Sequence, residues 1–129
     1  MSIVKIIIRS LMGLIFLVFG LNILLHFLPN PPEPPAAADF FGALFKTGYF
    51  LPMLGLTQAV SGALLLAGIA VPFALVLVAP VIVNIFFFHV FLAPAGLPLG
   101  LVVVLLELIL VWMYRDAFVP LFSGGARTA

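Results

Sequence analysis

The sequence predicts an all-α integral membrane protein: a four-helix bundle with a short interfacial helix in its first extracytoplasmic loop. Three observations carry this. Hydrophobic residues make up 66% of the 129-residue chain and charged residues 7%, more apolar surface than a soluble domain of this size can bury. Proline and glycine interrupt the apolar run at intervals near one bilayer crossing, so the length accommodates about four spans of ~20 residues as a single membrane domain. Lysine and arginine fall mostly on one side of those spans. The formal net charge of +1 offers neither a basic nucleic-acid surface nor an acidic tail. The chain has no cysteine, which excludes disulfides, thiolate metal sites and dithiol chemistry.

The first span is expected over 6–28, closed by the block Pro29-Asn-Pro-Pro-Glu-Pro-Pro35, which cannot continue a helix. Lys5 and Arg9 ahead of an apolar run resemble the start of a signal peptide. That run exceeds the ~7–15 residues of a signal core, so an uncleaved span is expected. From Tyr49 to Ala93 no residue is charged. One helix of that length would reach about 68 Å, twice the hydrocarbon thickness. Gly68 and Pro72 divide it into spans over 49–69 and 72–93, because glycine suits a helix end and proline a first turn. Pro94-Ala-Gly-Leu-Pro98 then precedes a fourth span over 99–115.

With four spans, Lys5, Arg9, Arg115 and Arg127 share one side and Lys46 takes the other, so both termini are expected in the cytoplasm. Tyr49 at one interface and Trp112 and Tyr114 at the other fit aromatic belts. The proline-rich loop over 29–48 is then extracytoplasmic. Within it, Asp39 to Gly48 has an acidic start, a basic end and a closing glycine, with Phe40, Phe41, Leu44 and Phe45 on one face. This reads as a short helix lying on the membrane surface. In the second span Gly55, Ala59, Ala63 and Ala67 recur every four residues, and in the first Gly13 and Gly20 lie seven apart. Both patterns read as small-residue packing faces.

Counting ~1.5 Å per residue from each span's midpoint assigns the polar side chains a depth. Glu107 and Gln58 fall near the midplane, Asn84 slightly outward, Asn22 further out, and His26 and His89 near the outer interface. The inner half holds little beyond Arg9 and Ser10. An outward-opening polar pocket lined by Asn22, His26, Gln58, Asn84, His89 and Glu107 follows, with the interfacial helix as its cover. Asn22 and His26, four apart, should share a helix face. Asn84 and His89 lie five apart, about 140° around a helix, and reach one site only if the helix is distorted, as Pro80 would allow, or the site wraps around it. Asn84 is therefore expected to bond across to Gln58 or Glu107 while His89 faces another neighbour. A mid-membrane acid is costly as a carboxylate, by roughly 2.5–3.5 kcal/mol, and escapes by holding a proton. Glu107 thus serves either as a proton relay and ligand contact or as a protonated pin between helices. The histidines read as quinone contacts, proton acceptors, ligands to a haem or chlorophyll-type pigment, or plain interfacial side chains. Arg9 is expected to snorkel to headgroups or pair with Asp116.

No hydrolase, kinase, phosphate-loop or zinc-protease pattern occurs. The chain does resemble the DoxX-like family of small four-helix bacterial membrane proteins. The matching residues are Arg9, Gly13, Phe16 and Gly20 with Asn22, then Thr47-Gly48-Tyr49, Gln58 with Gly62, Pro72, Pro80 with Asn84, Phe88-His89, and Tyr114-Arg115 with Phe118. The resemblance implies a bacterial inner-membrane bundle, and a subunit or accessory of a quinone-linked redox system that binds a lipid-soluble molecule. A structural or pigment-binding subunit of a larger respiratory or photosynthetic complex is the alternative, and a small-solute transporter a third. Other membrane subunits or self-association are the expected partners, beside the lipid itself.

Overall fold

The computed structural model describes residues 2–29 and 32–124. It contains α1 (Ile3–Leu25), α2 (Pro35–Lys46), α3 (Phe50–Ala67), α4 (Val71–Phe91), a 3-10 turn (Pro94–Gly96), α5 (Leu97–Met113), α6 (Arg115–Phe118) and a second 3-10 turn (Val119–Phe122). No strand occurs among the described residues. Four segments, α1, α3, α4 and Pro94–Met113, are long and apolar enough to cross a membrane. The protein is a multi-pass, all-α membrane bundle whose surroundings are lipid. Side chains such as Ile3, Phe73, Phe91 and Leu108 are accordingly exposed.

Several boundaries differ from the sequence-based expectation. α1 stops three residues early because the Asn22 carboxamide Oδ1 accepts the Leu28 amide at 2.8 Å, and His26 turns into the left-handed region at φ 54°. A short polar side chain that offers the backbone another partner ends a helix in this way. α2 starts at Pro35, four residues before Asp39: the last proline of the block occupies the first helical turn, where its missing N–H is harmless. α3 and α4 are joined by Gly68, Ile69 and Ala70 only, with Gly68 at φ 74° and Ala70 at φ 49°. A connection so short makes the two helices antiparallel neighbours. α4 runs unbroken across Pro80.

α1 packs on α3 and α5, α3 on α4, and α4 on α5, which closes the ring of spans. The α1–α3 seam is the tightest. A Cβ on Gly13 would stand 2.7 Å from the Leu66 nitrogen and 2.9 Å from the Gly62 oxygen, and one on Gly55 3.0 Å from the Gly20 oxygen. Gly20 and Gly62 meet the backbones of Ala59 and Leu17 more closely still. The seam thus uses Gly13 and Gly20 against Gly55, Ala59 and Gly62, two pairs spaced by seven. Ala63 and Ala67, expected in the stripe, are exposed. Steps of four advance about 40° each and leave the interface, whereas a step of seven returns to within about 20°.

The apolar core lies toward the end of the bundle that holds the α3–α4 turn. Met12, Phe16, Leu65, Leu75, Val78 and Leu110 are fully or almost fully buried there, with Val71 and Phe118 beside them. α2 covers the opposite end, touching α3 and setting Phe40 and Phe41 against Phe88 at centroid distances of 5.7 and 5.0 Å. Phe45, expected on the same face, is 70% exposed and points away.

Candidate functional site

The α2 end of the bundle is open inside. Seven-residue glycine spacing draws α1 onto α3 along their length, but no equivalent seam draws α4 and α5 inward at this end. A cavity of about 710 Å³ remains beneath α2, within the range of small-molecule sites. Apolar side chains form most of its wall, including Ile15, Phe16, Phe19, Leu54, Ile85 and Val103, and Phe40, Phe41 and Leu44 of α2 roof it.

Five of the six expected polar residues line this space: Asn22, His26, Gln58, Asn84 and His89. Glu107 does not. It lies one helical turn beyond the lining residue Val103, toward the packed end, 8% exposed and with Oε1 lacking any hydrogen-bond partner. The α5 helix starts and ends two residues earlier than expected.

Asn22 commits its Oδ1 to Leu28, leaving the amide NH2 for a ligand. His26 is exposed at the end of α1 rather than within it, so it shares the cavity with Asn22 through the turn and not through a helix face. Gln58 is 6% exposed. Asn84 and His89 line one cavity despite their angular separation, because its wall continues from α2 across α4 to Leu99, Gly100 and Val103 of α5. The side-chain hydrogen bonds among the described residues include none from Asn84 to Gln58 or Glu107.

His89 is held firmly. Its Nδ1 lies 2.8 Å from the Ile85 carbonyl, an acceptor, so Nδ1 carries the hydrogen and Nε2 is the ring nitrogen left to accept from a ligand. The ring sits in a notch made by two glycines four residues apart. A Cβ on Gly100 would stand 3.1 Å from Nδ1, and one on Gly96 would strike the Cδ2–Nε2 edge. In the sequence Gly96 reads as part of a turn and Gly100 as part of the fourth span; the signal for their pairing is two glycines facing the level of a histidine on the preceding span.

Glu33 was overlooked as well. It belongs to the proline block, read only as a helix breaker, yet it lines the cavity. Among the described residues no lysine or arginine does. Arg9 was expected at headgroups or beside Asp116, but it is 9% exposed and its guanidinium packs against Gly68 at the end of α3. That end carries the negative pole of the helix. Ser61, not singled out by the sequence, is fully buried, and its hydroxyl has no partner. A smaller groove of about 440 Å³ beside Trp112 and Arg115 contains none of the candidates. Among the described residues no three His, Cys, Asp or Glu side chains come together as a metal site would require. No family model, curated protein or solved structure matches the chain.

Proposed function

We propose that this protein binds a lipid-soluble molecule with a small neutral head, a quinone or quinol, and serves as a DoxX-like subunit or accessory of a quinone-linked redox system. The observation that carries the reading is the α2-roofed cavity, apolar in its walls and supplied with hydrogen-bonding groups from α1, α3 and α4. Its charge selects among lipids. Among the described residues Glu33 is the one lining side chain with a formal charge, and no described lysine or arginine lines the cavity to meet a phosphate or fatty carboxylate head. A quinol hydroxyl can donate to His89 Nε2, and a quinone carbonyl can accept from the amides of Asn22, Gln58 or Asn84. The proposed setting is a bacterial inner membrane with both termini cytoplasmic, which places the cavity in the outer half, beside other membrane subunits or further copies of the chain.

The test is saturable binding of a short-chain ubiquinone to the purified protein in nanodiscs, followed by calorimetry. Gly100→Leu, which fills the cavity beside His89, is expected to weaken binding at least tenfold. Gly42→Leu is the control, since a Cβ there meets nothing within 4 Å. Absence of saturable binding, or equal affinity in Gly100→Leu, would sink the proposal. Two histidines in one cavity also permit a haem or chlorophyll-type pigment. A visible absorption band in the purified protein, lost in His26→Ala or His89→Ala, would favour that role over quinone.

A further inference from the structure

The cavity beneath α2 carries charge of one sign. Among the described residues that line it, Glu33 alone is formally charged, and His26 and His89 add no formal charge at pH 7. Glu33 is also exposed, so it stands at the mouth, where the cavity meets water. It lies two residues before α2, the helix that roofs the space. Carboxylate and roof are therefore parts of one short segment, and Phe41 lies roughly 9 Å along that helix from its first residue, Pro35.

The roof is aromatic. Phe40 and Phe41 of α2 and Phe88 of α4 all line the cavity, and their rings pack on one another at centroid distances of 5.0 to 5.8 Å. An aromatic ring presents a negative face, which attracts a cation within about 6 Å of its centroid, and alkylated cations are commonly recognised by such rings. A neutral ligand would use the rings as apolar surface and leave the carboxylate idle. For a cation with an apolar body, rings and carboxylate act together.

The distribution of charge over the molecule favours the same sign of ligand. Lys5, Arg9 and Arg115 belong to the end with the α3–α4 turn, where α1 starts and α5 stops. At the α2 end the described charged residues are Glu33, Asp39 and Lys46, and Lys46 closes the end of α2 remote from Glu33. Such a mouth concentrates cations and turns anions away. We propose that the cavity is a binding site for hydrophobic organic cations, an ammonium or phosphonium centre on an apolar body, with the body beneath Phe40, Phe41 and Phe88 and the charge toward Glu33. The cavity is the one assigned above to a quinone, but the ligand class differs. No quinone enters the test, so the two readings are decided separately.

The test compares tetraphenylphosphonium with tetraphenylborate, which share one apolar shape and differ in the sign of their charge. Binding to the purified full chain is measured by equilibrium dialysis in uncharged maltoside micelles, with protein-free micelles as the reference. Saturable binding of the phosphonium is expected, roughly tenfold or more tighter than that of the borate, as a unit charge about 9 Å away gives in a partly buried site. Glu33→Gln, a change at an exposed position, should weaken phosphonium binding by a similar factor and abolish the preference. Phe41→Leu keeps apolar bulk but removes a ring face, and should weaken it about threefold to fivefold. Phe45→Leu, on the side of α2 that points away, should leave it unchanged. Equal affinity for the two ions, or undiminished phosphonium binding in Glu33→Gln, would overturn the proposal. Equal affinity in Phe41→Leu and Phe45→Leu would overturn it too, since the roof would not then hold the ligand.

Discussion

The two ends of the bundle are made of the same helices and a similar residue palette, yet one is filled and the other is not. Toward the α3–α4 turn, Met12, Phe16, Leu65, Leu75 and Leu110 interlock at 0–1% exposure. Toward α2 the same helices stand around a cavity of about 710 Å³. Space, more than composition, separates the roles of the polar groups. Gln58 and His89 border a void, whereas Glu107 and Ser61 are buried and do not line it.

The strongest way to break this comparison is to attack the seam that both ends share. In Gly62→Leu a side chain must enter the Leu17 backbone, which no rotamer change relieves. Loss of the folded bundle is expected, about 3 kcal/mol or more, read as the absence of a monodisperse species in mild detergent. Next, truncations in the two ends should give unequal results. Leu75→Ala leaves a void in packed surroundings and should cost about 2–5 kcal/mol in reversible unfolding. Phe41→Ala, at the edge of an existing cavity, should cost about 1 kcal/mol and instead speed ligand release. Similar losses from both would show that the α2 end is as closely packed as the other.

Smaller changes sharpen the picture. His89→Leu removes one hydrogen bond to the ligand, so quinone affinity should fall about five- to tenfold, roughly 1 kcal/mol, with little change in unfolding. Asn22→Ala frees the Leu28 amide and should destabilise by about 1 kcal/mol, with faster amide exchange confined to the end of α1. Smallest of all, Gly42→Ala lies inside α2 with open space around it, and should stabilise that helix by up to about 1 kcal/mol.

Much of the architecture was legible from spacing. The four spans, the surface helix over the first loop and the seven-residue glycine pair of α1 follow from apolar length, proline position and helical phase. Boundaries were less legible where side chains compete with the backbone: Asn22 ends α1 by bonding Leu28, and Pro35 opens α2 where proline had been read only as a stop. Among the polar residues, depth was readable but direction was not. Counting from a midpoint could not tell that Asn22, Gln58, Asn84 and His89 line one cavity while Glu107 does not. Ser61 escaped notice because a serine among apolar residues is common in membrane helices; only its burial without a partner distinguishes it. The burial of Arg9 depends on Gly68, whose missing side chain leaves room for the guanidinium, and no pattern local to either residue reveals the pair.

The α1–α3 seam also sets an order of assembly. Its two faces are separated in the chain by the proline block and by α2, which does not cross the membrane, so α1 enters the bilayer with its glycines unpaired. α3 cannot join it alone, because Gly68, Ile69 and Ala70 tie it to α4 through a turn with no charge to hold it at the membrane surface. α3 and α4 are adjoining arms of one hairpin, and α1 gains its partner only once α3 has been made. Until then the glycine face of α1 is the most adhesive surface of the growing chain. A ribosome paused between α2 and α3 would leave that face open to another helix.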